Sequence, residues 1–275
     1  MPSASPATDA QPALPRATYL DRIIAEHRRA AALDVRPIAE LRARAADMVP
    51  ARGFRNALCH GGLQVIAEVK RRSPSKGALN VDLDPSVLAG RYEAGGAACL
   101  SVLTDAANFG GSPQDLADAR RACALPVLRK DFTVSAADVC DARLMGADAV
   151  LLIVAALSDE ELDTFHGLGA EVGLDVLVEI HDEDELARAL RVGATLIGVN
   201  QRDLHTFEVD HDRARRVGRA MPASVTRVAE SGVRYAADAA SLHAAGFEAV
   251  LVGESLVTSA DPAAAIAALR AACER

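Results

Sequence analysis

An excess of positive charge is the first thing missing from this sequence: Lys and Arg number 30 against 38 Asp and Glu, and the basic residues are scattered along the chain. Bulk electrostatics therefore gives no reason to expect a nucleic-acid partner. The chain also lacks any C-x-x-C pair. Its five cysteines (Cys59, Cys99, Cys123, Cys140 and Cys273) are odd in number and widely spaced, which speaks against a disulfide framework or a zinc site and fits a reducing cytoplasm. No apolar run approaches the length that spans a bilayer, so no membrane partner is expected. The opening MPSASPATDAQPALPR lacks the apolar core of a signal peptide, and a disordered tail over residues 1–17 is expected.

What is present is apolar and ordered. Half of the 275 residues are hydrophobic, enough for a substantial core. After the tail, TYLDRIIAEHRRAAAL sets Leu20, Ile23, Ile24 and His27 at helical spacing, and IAELRARAADM repeats the pattern after Pro37. His27 reads as a helix-face residue, because no His or Cys partner lies at ligand spacing. From Val65 on, short β-branched runs (VIAEV, ACLSVLT, LPVLRK, DAVLLIV, DVLVEI, TLIGVN, VTRVAE and AVLVGE) alternate with Ala-rich amphipathic stretches. Several of these stretches open on Asp or Ser and end at Gly.

Strict βα alternation with near-continuous apolar strands predicts a parallel sheet covered by helices, and eight units predict closure into an α/β (β/α)8 TIM barrel with an N-terminal helical extension. The barrel with its extension, about 18–62, is expected to occupy 18–275 as one domain. A doubly wound open sheet is the alternative. It is weakened because neither G-x-G-x-x-G nor G-x-x-x-x-G-K-[ST] occurs.

In such a barrel reactive groups sit where strands end, and polar residues collect there: Glu68 and Lys70, Lys130, Glu179, Asn200 with Arg202 beyond it, and Glu230. Residues two apart on a strand share a face, so Glu68 and Lys70 face inward with Ile66. An inward charge is costly without a partner or a charged ligand. Each residue also has a plainer reading: Glu68 and Lys70 as an ion pair, Lys130 as a solvated strand end, Glu179 as a helix-entry charge, Asn200 as a loop organiser and Glu230 as a turn residue. A second group suits an anion. Ser73 in SPSKG offers a hydroxyl, and Gly232 and Gly253 follow the last two strands, where backbone N–H groups often hold phosphate. Glu254 would repel such a group unless its side chain turns away.

In the order and spacing of VIAEVKRRSPSKG, SVLTDAANFGGS, LRKDF, GADAVLLIVAAL, VEIHDEDEL, GATLIGVNQRDLHTFEVD, VAESGV and AVLVGESL, the chain from about Thr18 onward resembles the indole-3-glycerol phosphate synthases. The resemblance implies closure of an indole ring on a phosphorylated, anthranilate-derived substrate, with loss of carbon dioxide and water. It implies Lys130 as the acid at the ribulose carbonyl and Glu179 and Glu68 as acid/base carboxylates. Lys70 would hold the substrate carboxylate or donate a proton, Asn200 and Glu230 would complete the polar ring, and Arg202 would stand near the anthranilate end. Phe109, Phe132 and Leu151 would wall the aromatic ring; Ser73, Ser231, Gly232, Gly253 and the Glu254 backbone would hold the phosphate. Neither metal nor cofactor is implied, since lysines supply the positive charge. Ala106 and Ala107 stand where relatives often carry larger residues, so a thinner apolar wall is expected, and Arg71 and Arg72 are expected at the rim or in solvent. Two rival readings remain: a Schiff-base aldolase using Lys130 or Lys70 as nucleophile, and a non-catalytic barrel that binds a phosphorylated metabolite.

Overall fold

The structure is a computed structural model that describes residues 18–203 and 208–273; the expected tail over 1–17 lies outside the described residues. Eight parallel strands close into a barrel: β1 (Gln64–Val69), β2 (Cys99–Leu103), β3 (Val127–Lys130), β4 (Ala149–Ile153), β5 (Asp175–Ile180), β6 (Leu196–Asn200), β7 (Thr226–Glu230) and β8 (Ala249–Val252). Neighbours in sequence are neighbours in the sheet, and β1 pairs with β8 to complete the ring. The open-sheet alternative is thereby excluded. Strands such as AVLLI are buried along their whole length because one side packs into the barrel and the other against helices.

The helices start where the capping residues stand. Asp84, Ser112, Ser135, Ser158, Asp182 and Asp261 each accept a backbone N–H of the following first turn. Apolar faces then turn to the sheet, and the eight helical stretches read from the sequence all appear.

The N-terminal extension runs from one end of the barrel to the other. Helix α1 (Tyr19–Ala32) opens on a capping box between Thr18 and Asp21 and buries Leu20 and Ile23. Helix α2 (Ile38–Ala46) follows and packs on helix Ala136–Leu144. A third short helix, α3 (Phe54–Ala57), lies at the starts of the strands, where Arg52 N donates to Asp148 (2.7 Å) and Arg55 N donates to Asp175 (2.8 Å). Phe54 is fully buried there, a contribution on the order of 2 kcal/mol from its apolar surface alone. Two further short helices, Ala106–Phe109 and Glu254–Val257, and a two-residue hairpin of Arg72–Ser73 with Gly77–Ala78 lie beyond strand ends at the opposite face.

Candidate active site

The register of the barrel brings the strand-end polar residues to one level: Asn200 lies beside Glu230, Ile153 beside Glu179, and Leu103 beside Lys130. Above them opens a cavity of about 1190 Å³ counted to its open mouth. Every catalytic and binding residue predicted from the sequence lines it: Glu68, Lys70, Ser73, Phe109, Lys130, Phe132, Leu151, Glu179, Asn200, Arg202, Glu230, Ser231, Gly232, Gly253 and Glu254.

At the floor, Lys130 Nζ donates to Glu179 Oε2 (2.7 Å) and to Glu230 Oε2 (2.9 Å). The two carboxylates are 1% and 2% exposed, so water screens neither. Burial raises the pKa of both, and what surrounds each then pulls them apart. At Glu179 the charges of Lys130 and His181, with hydrogen bonds from Lys130 and Asn200, outweigh burial and hold it down to about 2. At Glu230 burial, joined by the negative charge of Glu179, outweighs Lys130 and pushes it up to about 7. Lys130 itself is held above its ordinary value: burial works against its charge, and Glu179, Glu230 and Glu68 overcome that. The trio therefore joins an ammonium held charged and two buried carboxylates whose surroundings push their pKa values apart, Glu179 downward and Glu230 upward.

Glu68 and Lys70 pair directly with each other on the inner face of β1. That is the plain ion pair foreseen as an alternative, yet it sits at the cavity and not in a closed core. Two glycines make room for the carboxylates. A Cβ at Gly253 would collide with Glu68 Oε1, and a Cβ at Gly198 with Glu230 Oε1, so a side chain at either position would displace a charged group of the floor.

One wall is apolar. Phe109 and Phe132 tilt against each other with ring centres 6.4 Å apart, and Leu151 and Ile153 continue the surface. Ala106 and Ala107 are exposed and do not line the cavity, so small residues there do not thin the wall as expected. The loop carrying Phe109 is fastened from below. Arg72 donates to Ala107 O, and Arg71 pairs with Asp115 while donating to Gly110 O (3.2 Å). Arg71 is thus half-buried in an ion pair, where rim or solvent was expected.

His27 is corrected more strongly. Its Nε2 lies 3.1 Å from Asp105 Oδ2 and 3.9 Å from Asp131 Oδ1, and its ring packs on Phe132 with centres 5.4 Å apart. His27, Asp105 and Asp131 could gather around a metal ion. Protein donors already occupy their oxygens, however: Asn108 on Asp105, and Phe132 N, Thr104 and Arg129 on Asp131. The group works as a clasp that fixes α1 to the cavity rim. The hydrogen bond that His27 donates to Asp105 raises its pKa against burial, helped by the charges of Asp131, Asp105 and Asp138. A raised folded value means stability that is complete below the ordinary pKa of 6.5 and is lost as pH rises through the folded value. His27→Ala should therefore destabilise by about 1–2 kcal/mol near pH 6 and by clearly less near pH 9. Thermal unfolding of both proteins at the two pH values checks this; a constant difference would leave only the packing on Phe132.

Opposite this wall, Ser231 (φ 65°) and Gly232 (φ 78°) follow β7 in the left-handed region, a strained conformation for serine. A Cβ on Gly232 would crowd Val209 and His211. The Glu254 carboxylate pairs with Lys76 at 3.7 Å, and Glu254 is among the residues that line the cavity.

A profile of the family described as indole-3-glycerol phosphate synthase matches residues 20–269. The chain belongs to the indole-3-glycerol phosphate synthase family. Two relatives from Streptomyces coelicolor, indole-3-glycerol phosphate synthases 1 and 2, are 52% and 50% identical over 235 residues. The alignments cover 86% of this chain in both cases, and 87% and 91% of the two relatives. Among solved structures, a thiamine phosphate pyrophosphorylase from Pyrococcus furiosus superposes with a TM-score of 0.57 at 15% identity, over 76% of this chain and 95% of that one. That likeness is one of fold alone. Among the described residues no helix is long and apolar enough to cross a membrane. Family membership accounts for the strand-end motifs; it does not by itself single out His27, whose link to Asp105 has no local mark in the chain.

Proposed function

We propose that this chain closes the indole ring of 1-(2-carboxyphenylamino)-1-deoxyribulose 5-phosphate, releasing carbon dioxide and water to leave indole-3-glycerol phosphate. The observation that carries the reading is Lys130, a buried ammonium fixed between two carboxylates at the foot of an apolar wall. The aromatic ring lies against Phe109, Phe132 and Leu151. Ser73, Ser231, Gly232, Gly253 and the Glu254 backbone receive the phosphate, and Lys70, steadied by Glu68, receives the substrate carboxylate. Arg202 stands near the anthranilate end, and Asn200 holds Glu179 through Oε1 (3.1 Å).

As the ring carbon attacks the ribulose carbonyl, negative charge grows on oxygen, and Lys130 donates a proton to it. Carbon dioxide then leaves and restores the aromatic ring. Dehydration follows. Glu230, able to carry a proton, is suited to the departing hydroxyl, and Glu179, firmly ionised, is suited to removing the ring proton. Two protons enter the substrate and one returns, so a carboxylate substrate consumes one proton per turnover. The lysines supply the positive charge, and the reading calls for neither metal nor organic cofactor.

A Schiff-base route would need a neutral amine. Lys130 is held protonated, which disfavours it as a nucleophile. The test is the appearance of indole fluorescence from synthetic substrate, with borohydride added during turnover in a parallel reaction. Product should form and no lysine should be trapped; a trapped lysine in a competent turnover would replace this reading with the aldolase-like one.

A further inference from the structure

The consumed proton must reach groups that bound substrate cuts off from the cavity mouth, and the structure holds a way round. His181 follows β5 two residues after Glu179. Its Nε2 is buried without a hydrogen-bond partner and lies 3.8 Å from Glu179 Oε1, too far for a hydrogen bond but within reach of a small ring rotation. Its Nδ1 lies 3.1 Å from Glu185 Oε2, which also accepts the His181 backbone N–H at 2.7 Å. His181 also borders a second cavity, lined as well by Asp182, Glu185, Asp203 and Arg213, and Glu179 is not among the residues that line it. The imidazole thus stands between a catalytic carboxylate and a polar space that is not part of the substrate cavity.

We propose that His181 is the relay through which Glu179 and, beyond it, Lys130 exchange protons with the second cavity while substrate fills the first. The imidazolium gives its Nε2 proton to Glu179 Oε1, and the neutral ring keeps its Nδ1 proton on Glu185. Water or a buffer acid in the second cavity returns a proton to Nε2 when the ring turns outward. Glu179 Oε2 faces Lys130 Nζ, so once the protonated carboxyl turns and brings its O–H round to that side, the proton passes to the lysine that has given one to substrate. The charges around the ring support this. Burial opposes protonation of His181 and Arg213 repels it, yet Glu185 and Glu179 outweigh both and raise its pKa, which favours the charged ring. Glu185 also orients the ring while Nε2 faces Glu179 and releases Nδ1 when the ring turns, which makes it a positioning residue for the relay.

The relay rests on the ring-closing reaction proposed above, and the two fail differently. If the unsubstituted chain forms no indole product, the reaction is wrong and the relay falls with it; if it does, the His181 variants decide the relay alone. The assay uses the full chain, saturating synthetic substrate and dilute buffer. His181→Ala should lower kcat at least about tenfold with KM changed little, and added imidazole should restore kcat in proportion to its concentration. His181→Gln, which can still hydrogen-bond but not carry a proton, should be as slow as His181→Ala and should speed up with buffer concentration. Unchanged kcat in both variants would overturn the relay. So would full activity in His181→Gln, which would leave only a positioning role, or a slow His181→Ala that folds normally and ignores imidazole. If His181→Ala does not fold, the buffer response of His181→Gln decides alone: acceleration supports the relay and none overturns it.

Discussion

Lys130→Ala is expected to lower kcat by about 10³-fold, or about 4 kcal/mol of transition-state stabilisation, within the range of losing a general acid together with its charge. The size follows from burial. Nζ is the cation that touches both Glu179 and Glu230, and in a site that excludes water no solvent ion takes its place. Removing it leaves two carboxylates facing each other, so at least one must take a proton, and the acid and base of the later steps lose their distinct roles together. Substrate binding should suffer less, because the proposed phosphate and carboxylate contacts at Gly232, Gly253 and Lys70 remain. Initial-rate fluorescence over a range of substrate concentrations separates the effects: a fall in kcat with a modest change in KM is expected. Full activity in the variant would remove Lys130 from the mechanism. Lys130→Arg keeps the charge but splays five donors where one compact ammonium fits, and it should recover little.

The barrel was legible because its signals are local and repeat. Each strand is a short apolar run and six of the barrel helices open on an Asp or Ser that caps them, so the eight units announce themselves without knowledge of tertiary contacts. The level of the proposed catalytic residues was legible for a related reason: a charge at a strand end, as Glu68, Lys130, Glu179 and Glu230 are, is costly unless something meets it. What stayed hidden is pairing across long separations. His27 meets Asp105 78 positions away and Arg71 meets Asp115 44 positions away, and a helix-face histidine or a loop arginine carries no local mark of such a partner. Ala106 and Ala107 misled in the opposite sense. Their place in a motif suggested cavity contact, but the turn of helix Ala106–Phe109 sends Phe109 to the cavity and leaves the two alanines in solvent. The division of labour proposed for Glu179 and Glu230 was also out of reach, since both residues simply end strands. The proposal rests on what surrounds them: Asn200 and His181 on one side, and a Glu230 Oε1 without a hydrogen-bond partner on the other.

Glu179→Gln tests that division directly. Glutamine keeps the length of the side chain and can still accept from Asn200 through its oxygen, but it turns an amide toward Lys130 where a carboxylate stood. Lys130 stays charged beside Glu230 and can still protonate the carbonyl oxygen, so ring closure and decarboxylation should proceed, although more slowly. Removal of the ring proton should not, because glutamine is no base near neutrality. The fluorescent product is therefore expected to form about 10²–10⁴-fold more slowly, the range for loss of a general base, while carbon dioxide is released early, up to about one equivalent per site. Two readouts on one sample decide it: carbon dioxide by trapping and indole by fluorescence. If both fall by the same factor with no early release, Glu179 acts at or before decarboxylation, and the base for the last step is Glu230 or Glu68 instead. The same variant also removes the charge that faces His181. The His181 pKa should then fall toward its ordinary value, leaving Glu185 as the principal anion at the ring, and a titration of the imidazole by NMR in the unsubstituted and Glu179→Gln proteins should show that downward shift.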